Sequence, residues 1–204
     1  MPPLIQSRFI AVTGGSGSGK SWLAAALLER LGAEAAHLSL DDFYRDLGHL
    51  PEAERAGVNF DDPAAIDWDA LRNVLERLER GAAARIPRYD FATHTRHATS
   101  RRLARARFVL LDGLWLLHHG WLRDKLALSV FVDCPADERL RRRVARDVQT
   151  RGRTRGSVLR QFRQHVQPMH ELFVEPQRAW ATHCVTSPLE KNVQAELLAA
   201  CLAM

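Results

Sequence analysis

The sequence predicts an α/β protein with a parallel central sheet flanked by helices. Three observations carry that prediction. Short apolar runs of β type alternate with helical runs along the 204-residue chain. A glycine-rich stretch, GGSGSGKS (14–21), stands between the first strand-like run and the first helical one. Two later runs, RFVLLDG (107–113) and LSVFVDC (128–134), are apolar throughout, as strands covered on both faces must be.

The elements come in order. RFIAVTG (8–14) reads as a fully buried first strand, and WLAAALLERLG (22–32) as a helix that Gly32 stops. AAHLSL (35–40) is a second strand. In DWDALRNVLERLERG (67–81), Leu71, Val74, Leu75 and Leu78 recur at helical spacing behind Asp67, a predicted N-cap. After the strands at 107–113 and 128–134 come helices over 136–150 and about 157–175. Pro168 and Pro176 each remove a backbone donor from the second of these and blur its middle and end. THCVTS (182–187) is the last strand, and a final helix starts near Glu190. No repeat or linker divides residues 1–204, so one domain is expected.

Bulk properties narrow the function classes. A hydrophobic fraction of 46% and a charged fraction of 26% are ordinary for a globular chain. No apolar run reaches the roughly 20 residues that span a bilayer, and the opening MPPLIQSRF lacks the pattern of a secretory leader. Cys134, Cys184 and Cys201 have neither metal spacing nor an even count, which points to reduced thiols and a cytoplasmic protein. The net charge of +5 favours an anionic partner without choosing among nucleotide, nucleic acid and membrane surface.

The glycine-rich stretch makes that choice. Gly14, four residues, then Gly19, Lys20 and Ser21 form the G-x-x-x-x-G-K-[ST] phosphate loop, in the strand–loop–helix context that confirms it. Backbone N–H groups of Gly14, Gly15, Ser16, Gly17, Ser18 and Gly19 can turn onto one anion at a helix N-terminus. Lys20 can reach the β- and γ-phosphates, and Ser21 suits Mg²⁺. The ligand is ATP, with GTP as the alternative donor; a dinucleotide-type G-x-G-x-x-G fits poorly because Lys-Ser follows. The fold is therefore of P-loop NTPase type. Asp112, ending VLLDG, has the Walker B placement for Mg²⁺. In SLDDFYRD (39–46), a carboxylate at the carboxyl edge of the second strand could take a hydroxyl proton, and a solvated turn would favour Asp-Asp equally. Alternation along a strand lets only one of Asp41 and Asp42 face a γ-phosphate.

Arginines dominate 137–156: Arg139, Arg141, Arg142, Arg143, Arg146, Arg151, Arg153 and Arg155. Arg139, Arg142, Arg143 and Arg146 share a helical face. That face could be solvated, could grip nucleic acid, or could belong to a lid that folds over a triphosphate. The absence of interleaved aromatics argues against nucleic acid, and Gly152 suits a hinge.

Order, spacing and wording of these segments resemble the uridine kinase (uridine–cytidine kinase) family from Gly14 to about Trp180. GGSGSGKS is similar to its phosphate loop, DDFYRD to its Asp-x-Phe/Tyr-Tyr motif, and VNFDDPAAID (58–67) to its Asn-Phe/Tyr-Asp-x-Pro motif. IPRYDFATHTR (86–96) resembles Pro-x-Tyr-Asp-Phe-x-x-His-x-Arg, while RRRVARDVQTRGR (141–153) resembles the lid and RQFRQHVQPMHELFVEP (160–176) the helix after it. The resemblance implies Asp41 as general base for a ribose 5′-hydroxyl and Asp61 on the 2′- and 3′-hydroxyls. It implies Tyr89, Phe91 and His94 around a pyrimidine, Arg143 and Gln161 on the nucleoside, and Arg146, Arg151 and Arg153 on the phosphates. It further implies a nucleoside-binding flap over about 43–106, a lid over about 137–156 and a homotetramer.

The implied reaction is phosphorylation of uridine or cytidine at the 5′-hydroxyl, in pyrimidine salvage, with a small nucleoside as partner and neither nucleic acid nor membrane. Phosphoribulokinase- or pantothenate kinase-like activity, and a non-catalytic nucleotide-binding regulator, are the alternatives. Four positions depart from the family pattern: Asp112 where Glu is usual, Asp42 where the residue is small, Trp115 where an aliphatic is smaller, and CVTSPLEKN (184–192) without a Pro-Arg-Gly-Gly-type turn. Asp42 is expected to raise the pKa of Asp41 by like-charge repulsion.

Overall fold

The computed structural model describes residues 6–55, 57–189 and 191–204. Most of the opening MPPLIQSRF and the expected helix start at Glu190 lie outside the described residues. Strand β1 (Arg8–Gly14) is buried from Phe9 onward, with only Arg8 at the surface. Helix α1 (Lys20–Leu31) succeeds the glycine-rich loop and stops at Gly32, whose φ of 56° is left-handed. Leu23, Ala24, Leu27 and Leu31 form its buried stripe. Leu23 and Leu27 are wholly buried, each contributing about 1.5–3 kcal/mol of burial.

β2 (Ala35–Ser39) ends one residue earlier than the sequence suggests, because Leu40–Phe43 closes into a 3₁₀ turn in which the Ser39 hydroxyl accepts from the Asp41 N–H at 3.4 Å. Short helix α2 (Glu52–Arg55) precedes α3 (Trp68–Glu79), where the Asp67 carboxylate accepts from Ala70 N–H as expected of its N-cap. Two small antiparallel ladders that periodicity does not reveal come next. β3 (Ala84–Ile86) pairs with β6 (Arg101–Leu103), and between them β4 (Tyr89–Asp90) pairs with β5 (Thr95–Arg96).

β7 (Phe108–Gly113), short helix α4 (Gly120–Arg123) and β8 (Leu126–Asp133) return the chain to the main sheet. Helix α5 (Ala136–Arg151) is capped by left-handed Gly152, and α6 (Arg155–Gln161) starts at Thr154, whose hydroxyl accepts from Ser157 N–H. Only Gly152–Thr154 separate them. Pro168 does not break the helical path beyond α6. There α7 (Gln167–Met169) is held between π-helical turns at Phe162–Val166 and His170–Val174, so local rewinding absorbs the missing donor. Pro176 opens the 3₁₀ turn Glu175–Trp180. β9 (His183–Thr186) and α8 (Lys191–Leu202) complete the fold.

The main sheet has the order β2-β7-β1-β8-β9, and every pairing in it is parallel. Alternate residues of its strands feed two cores. Ile10, Val12, Leu110 and Val130 pack with α1 and α8, while Phe9, Ala11, Leu111 and Phe131 pack with α3 and the small ladders. The carboxyl ends of β1, β2, β7 and β8 thus share one edge, where open α/β sheets bind ligands.

Candidate active site

The loop between β1 and α1 needs its glycines for two reasons. Gly17 and Gly19 have φ of 84° and 99°, and a Cβ on Gly17 would sit 2.5 Å from the Arg139 carbonyl oxygen. The Ser18 N–H turns onto Gly15 O at 3.0 Å, and the Ser18 side chain is buried with its hydroxyl unpartnered. Arginines of α5 brace the loop from behind. Arg143 Nη1 donates to Ser16 Oγ at 2.8 Å, and Arg142 Nη1 donates to Ser18 O at 3.3 Å and to Ser187 Oγ at 2.8 Å. Arg139, 2% exposed, donates from Nε to Cys134 O and from Nη2 to Gln167 Oε1. The arginine face is turned into the protein, which removes the solvated-face alternative for Arg139, Arg142 and Arg143.

Beside the loop, Ser21 Oγ donates to Asp112 Oδ2 at 2.6 Å, and His37 Nε2 lies 2.8 Å from Asp112 Oδ1. Burial opposes ionisation of Asp112, but the His37 and Ser21 hydrogen bonds and the Lys20 charge outweigh it and hold its pKa below the usual value. Two adjacent oxygens, one of them on an ionised carboxylate, fit the hard-donor preference of Mg²⁺. Nothing in the sequence pattern points to His37, because no local spacing signals a contact across two strands 75 residues apart in the chain.

A cavity of about 820 Å³ opens at the sheet edge. It gathers Ser16, Lys20, Asp41, Asp61, Tyr89, Phe91, His94, Arg143, Arg146, Arg151, Arg153 and Gln161. The structure thus brings together the residues expected for acceptor and lid, with Ser16 and Lys20 as the phosphate loop's contribution to the lining, while the loop glycines, Ser21 and Asp112 are not among the lining residues. Burial lowers the Lys20 pKa and raises that of Asp41, each opposed by the other's charge. Asp42 behaves differently from expectation. It turns away to Arg101, Nη2 to Oδ2 at 3.4 Å, and desolvation and Asp112, not Asp42, are what push Asp41 up. Trp115 is 1% exposed and lines a separate small void with Met169 and Val174, not the main cavity.

Opposite the loop, buried Asp61 stands 3.9 Å from Arg143 Nη1, and burial raises its pKa against that guanidinium. Gln161 Oε1 accepts from Arg143 Nη2 at 3.0 Å and from Arg153 Nη1. The aromatic wall is larger than the sequence suggests. Tyr44 and Phe60 join Tyr89, Phe91 and His94, with Phe60 stacked on His94 at 4.3 Å and 13°. His94 holds a left-handed φ of 57°, which presents its ring to Phe60. Desolvation pushes the Tyr89 hydroxyl up to about 12, so it is a neutral donor. Arg151 lies over the Phe91 ring at 5.1 Å, joining the two sides of the cavity. The available sequence signal for Phe60 and Tyr44 is their adjacency to Asp61 and to the Asp-Asp pair.

Comparison with known proteins places this architecture. The family model described as Phosphoribulokinase / Uridine kinase family matches residues 9–193. A curated uridine kinase of Deinococcus deserti is 42% identical over 173 residues, covering 84% of each chain. One from Chloroflexus aggregans is 43% identical over 173 residues, covering 84% of this chain and 83% of its own. Among solved structures, phosphoribulokinase from Rhodobacter spheroides superposes with a TM-score of 0.64 at 17% identity, over 89% of this chain and 70% of that one, a likeness of fold. The chain belongs to the phosphoribulokinase/uridine kinase family.

Proposed function

We propose that this protein is a uridine kinase, transferring the γ-phosphoryl group of ATP to the 5′-hydroxyl of uridine or cytidine. One observation carries the reading: a carboxylate, Asp41, shares a single cavity with the phosphate-loop lysine and with an aromatic and carboxylate-lined recess of nucleoside size. Family membership and the names of the relatives support the same assignment.

In this mechanism the loop N–H groups and Lys20 hold the β- and γ-phosphates. Ser21 and Asp112 would hold Mg²⁺, which when bound neutralises charge on the phosphate oxygens. Asp61 accepts both ribose hydroxyl hydrogens, which selects ribose over deoxyribose by leaving an acceptor unmatched for the latter. Phe91 and the Phe60–His94 pair flank the base, and Tyr89 donates at its edge. Asp41 accepts the 5′-hydroxyl proton as O5′ bonds to the γ-phosphorus and the bridging oxygen leaves with ADP. Burial raises its pKa, opposed by the Lys20 charge, which makes it a better proton acceptor than an exposed carboxylate. Arg146, Arg151 and Arg153 stabilise charge on the transferring group.

The flap over about 43–106 and the lid over about 137–156 are, in this reading, the parts that close on acceptor and donor within one domain. Homotetrameric assembly and a cytoplasmic place belong to the same proposal; among the described residues no helix is long and apolar enough to cross a membrane. The test is a panel of nucleosides and sugar alcohols with ATP and Mg²⁺, read by product mass. Uridine and cytidine should gain one phosphate, and phosphorylation of a sugar phosphate or pantothenate instead would overturn the assignment.

A further inference from the structure

Asp112 is a short carboxylate whose two oxygens have different partners. Oδ2 meets the Ser21 hydroxyl at 2.6 Å, and Oδ1 meets His37 Nε2 at 2.8 Å. The Asp112 side chain is 7% exposed and that of His37 42%, so the imidazole reaches in from the surface to close off the outer oxygen. The backbone directs this contact: β2 and β7 pair in parallel with Ser39 opposite Asp112 and His37 opposite Leu110, placing His37 and Asp112 on the same face of the sheet as α1. Arg101 Nη2 donates to the His37 carbonyl at 3.3 Å and braces the strand that carries the ring.

We propose that His37 is a positioning residue for the metal–nucleotide site: its Nε2–H fixes the Asp112 carboxylate so that Oδ2 and Ser21 Oγ present a ready pair of oxygens to the divalent cation. This rests on the kinase reading above. Without the imidazole, the carboxylate plane has one anchor instead of two, and rotation about its terminal torsion is soft. A buried carboxylate oxygen left unpaired is also costly. The device does not depend on ring charge, because neutral imidazole can carry its hydrogen on Nε2 as the cation does. Outer partners of ligating carboxylates typically change metal affinity by about 10–100-fold when removed.

The experiment measures Mn²⁺ binding to the enzyme–ADP complex by the loss of the free Mn²⁺ electron paramagnetic resonance signal. It compares wild type, His37→Val, which keeps a strand-compatible side chain, and His37→Gln, which keeps an N–H donor of similar reach. Mg²⁺ for half-maximal rate and KM for uridine are measured in parallel. The expected result is about tenfold weaker Mn²⁺ binding and a matching rise in required Mg²⁺ for His37→Val. His37→Gln should recover most of the loss. KM for uridine should stay within about twofold, because a partner that orients a metal-binding carboxylate acts on the metal and not on the acceptor. Unchanged Mn²⁺ affinity in His37→Val, or equal loss in both variants, would overturn the proposal while leaving the kinase reading intact. A wild-type ADP complex that takes up no Mn²⁺ would overturn both.

Discussion

Replacing Asp147 by Asn removes one negative charge and almost no volume from the point where three guanidinium groups meet. The carboxylate is 0% exposed, with Arg146 Nε at 2.8 Å, Arg143 Nε at 3.5 Å and Arg151 Nη1 at 3.7 Å. Taking one partner from a buried ion pair costs about 3–5 kcal/mol, because the remaining charge is left uncompensated. Here the cost is softened. Arg146 and Arg151 are 40% and 31% exposed and can turn to water, and exposed pairs of that kind contribute under about 1 kcal/mol. Arg143, 6% exposed, cannot turn out but keeps Ser16, Gln161 and Asp61. The net loss is then about 2–3 kcal/mol, or roughly 4–12 °C in Tm for a chain of this size. Thermal unfolding of Asp147→Asn monitored by circular dichroism, with and without tripolyphosphate, measures it. The anion should raise the Tm of the variant more than that of wild type, since it replaces the lost counter-charge. A Tm within about 1 °C of wild type, or equal stabilisation of both proteins by the anion, would refute the view that Asp147 organises these arginines.

Gly17→Ala should weaken ADP binding about 10–100-fold by calorimetry, since left-handed strain costs about 1–3 kcal/mol and the new methyl group meets a carbonyl at 2.5 Å; unchanged affinity would show that the loop can relax. His170 sits with its Nδ1 unpartnered against Gly15, and burial, with the Arg139 charge, lowers its pKa to about 4. Between that value and the ordinary 6.5 the unfolded chain holds a proton that the folded chain refuses, so this group's stabilisation is lost as pH falls from about 6.5 to about 4. His170→Gln should flatten the urea midpoint over that window, and a slope equal to wild type would contradict it. For the reaction itself, the raised pKa of Asp41 places the acid limb of kcat/KM above the ordinary carboxylate value of 3.8. A limb at or below that value in the pH–rate profile would remove Asp41 from the proton transfer.

The parts of the fold legible in the sequence are those with a local or periodic cause. The phosphate loop announces itself by glycine spacing, α3 by Asp67 and a buried Leu71-Val74-Leu75-Leu78 stripe, and the sheet by runs that are apolar on both faces. The two ladders of two and three residues are too short to show alternation, and their pairing is fixed by the packing of Ile86, Tyr89 and Leu103 into the core. At the site, Asp41, Asp61 and Lys20 could be placed from motif and resemblance. His37 could not, because it acts through a contact made only when distant segments fold together, β2 lying beside β7. Asp147 is different: it stands at i±4 helical spacing from Arg143 and Arg151, a local signal that the sequence does carry. Asp42 shows the converse error, since adjacency in sequence suggests a charge interaction that the 3₁₀ turn at Leu40–Phe43 directs elsewhere, to Arg101.

Nucleoside-dependent ADP release by Asp41→Asn, measured beside ADP affinity for the same protein, tests the central claim most directly. Loss of general-base catalysis should cut kcat by about 10²–10⁴-fold while ADP still binds within a few-fold of wild type. Wild-type turnover of uridine in Asp41→Asn would contradict it.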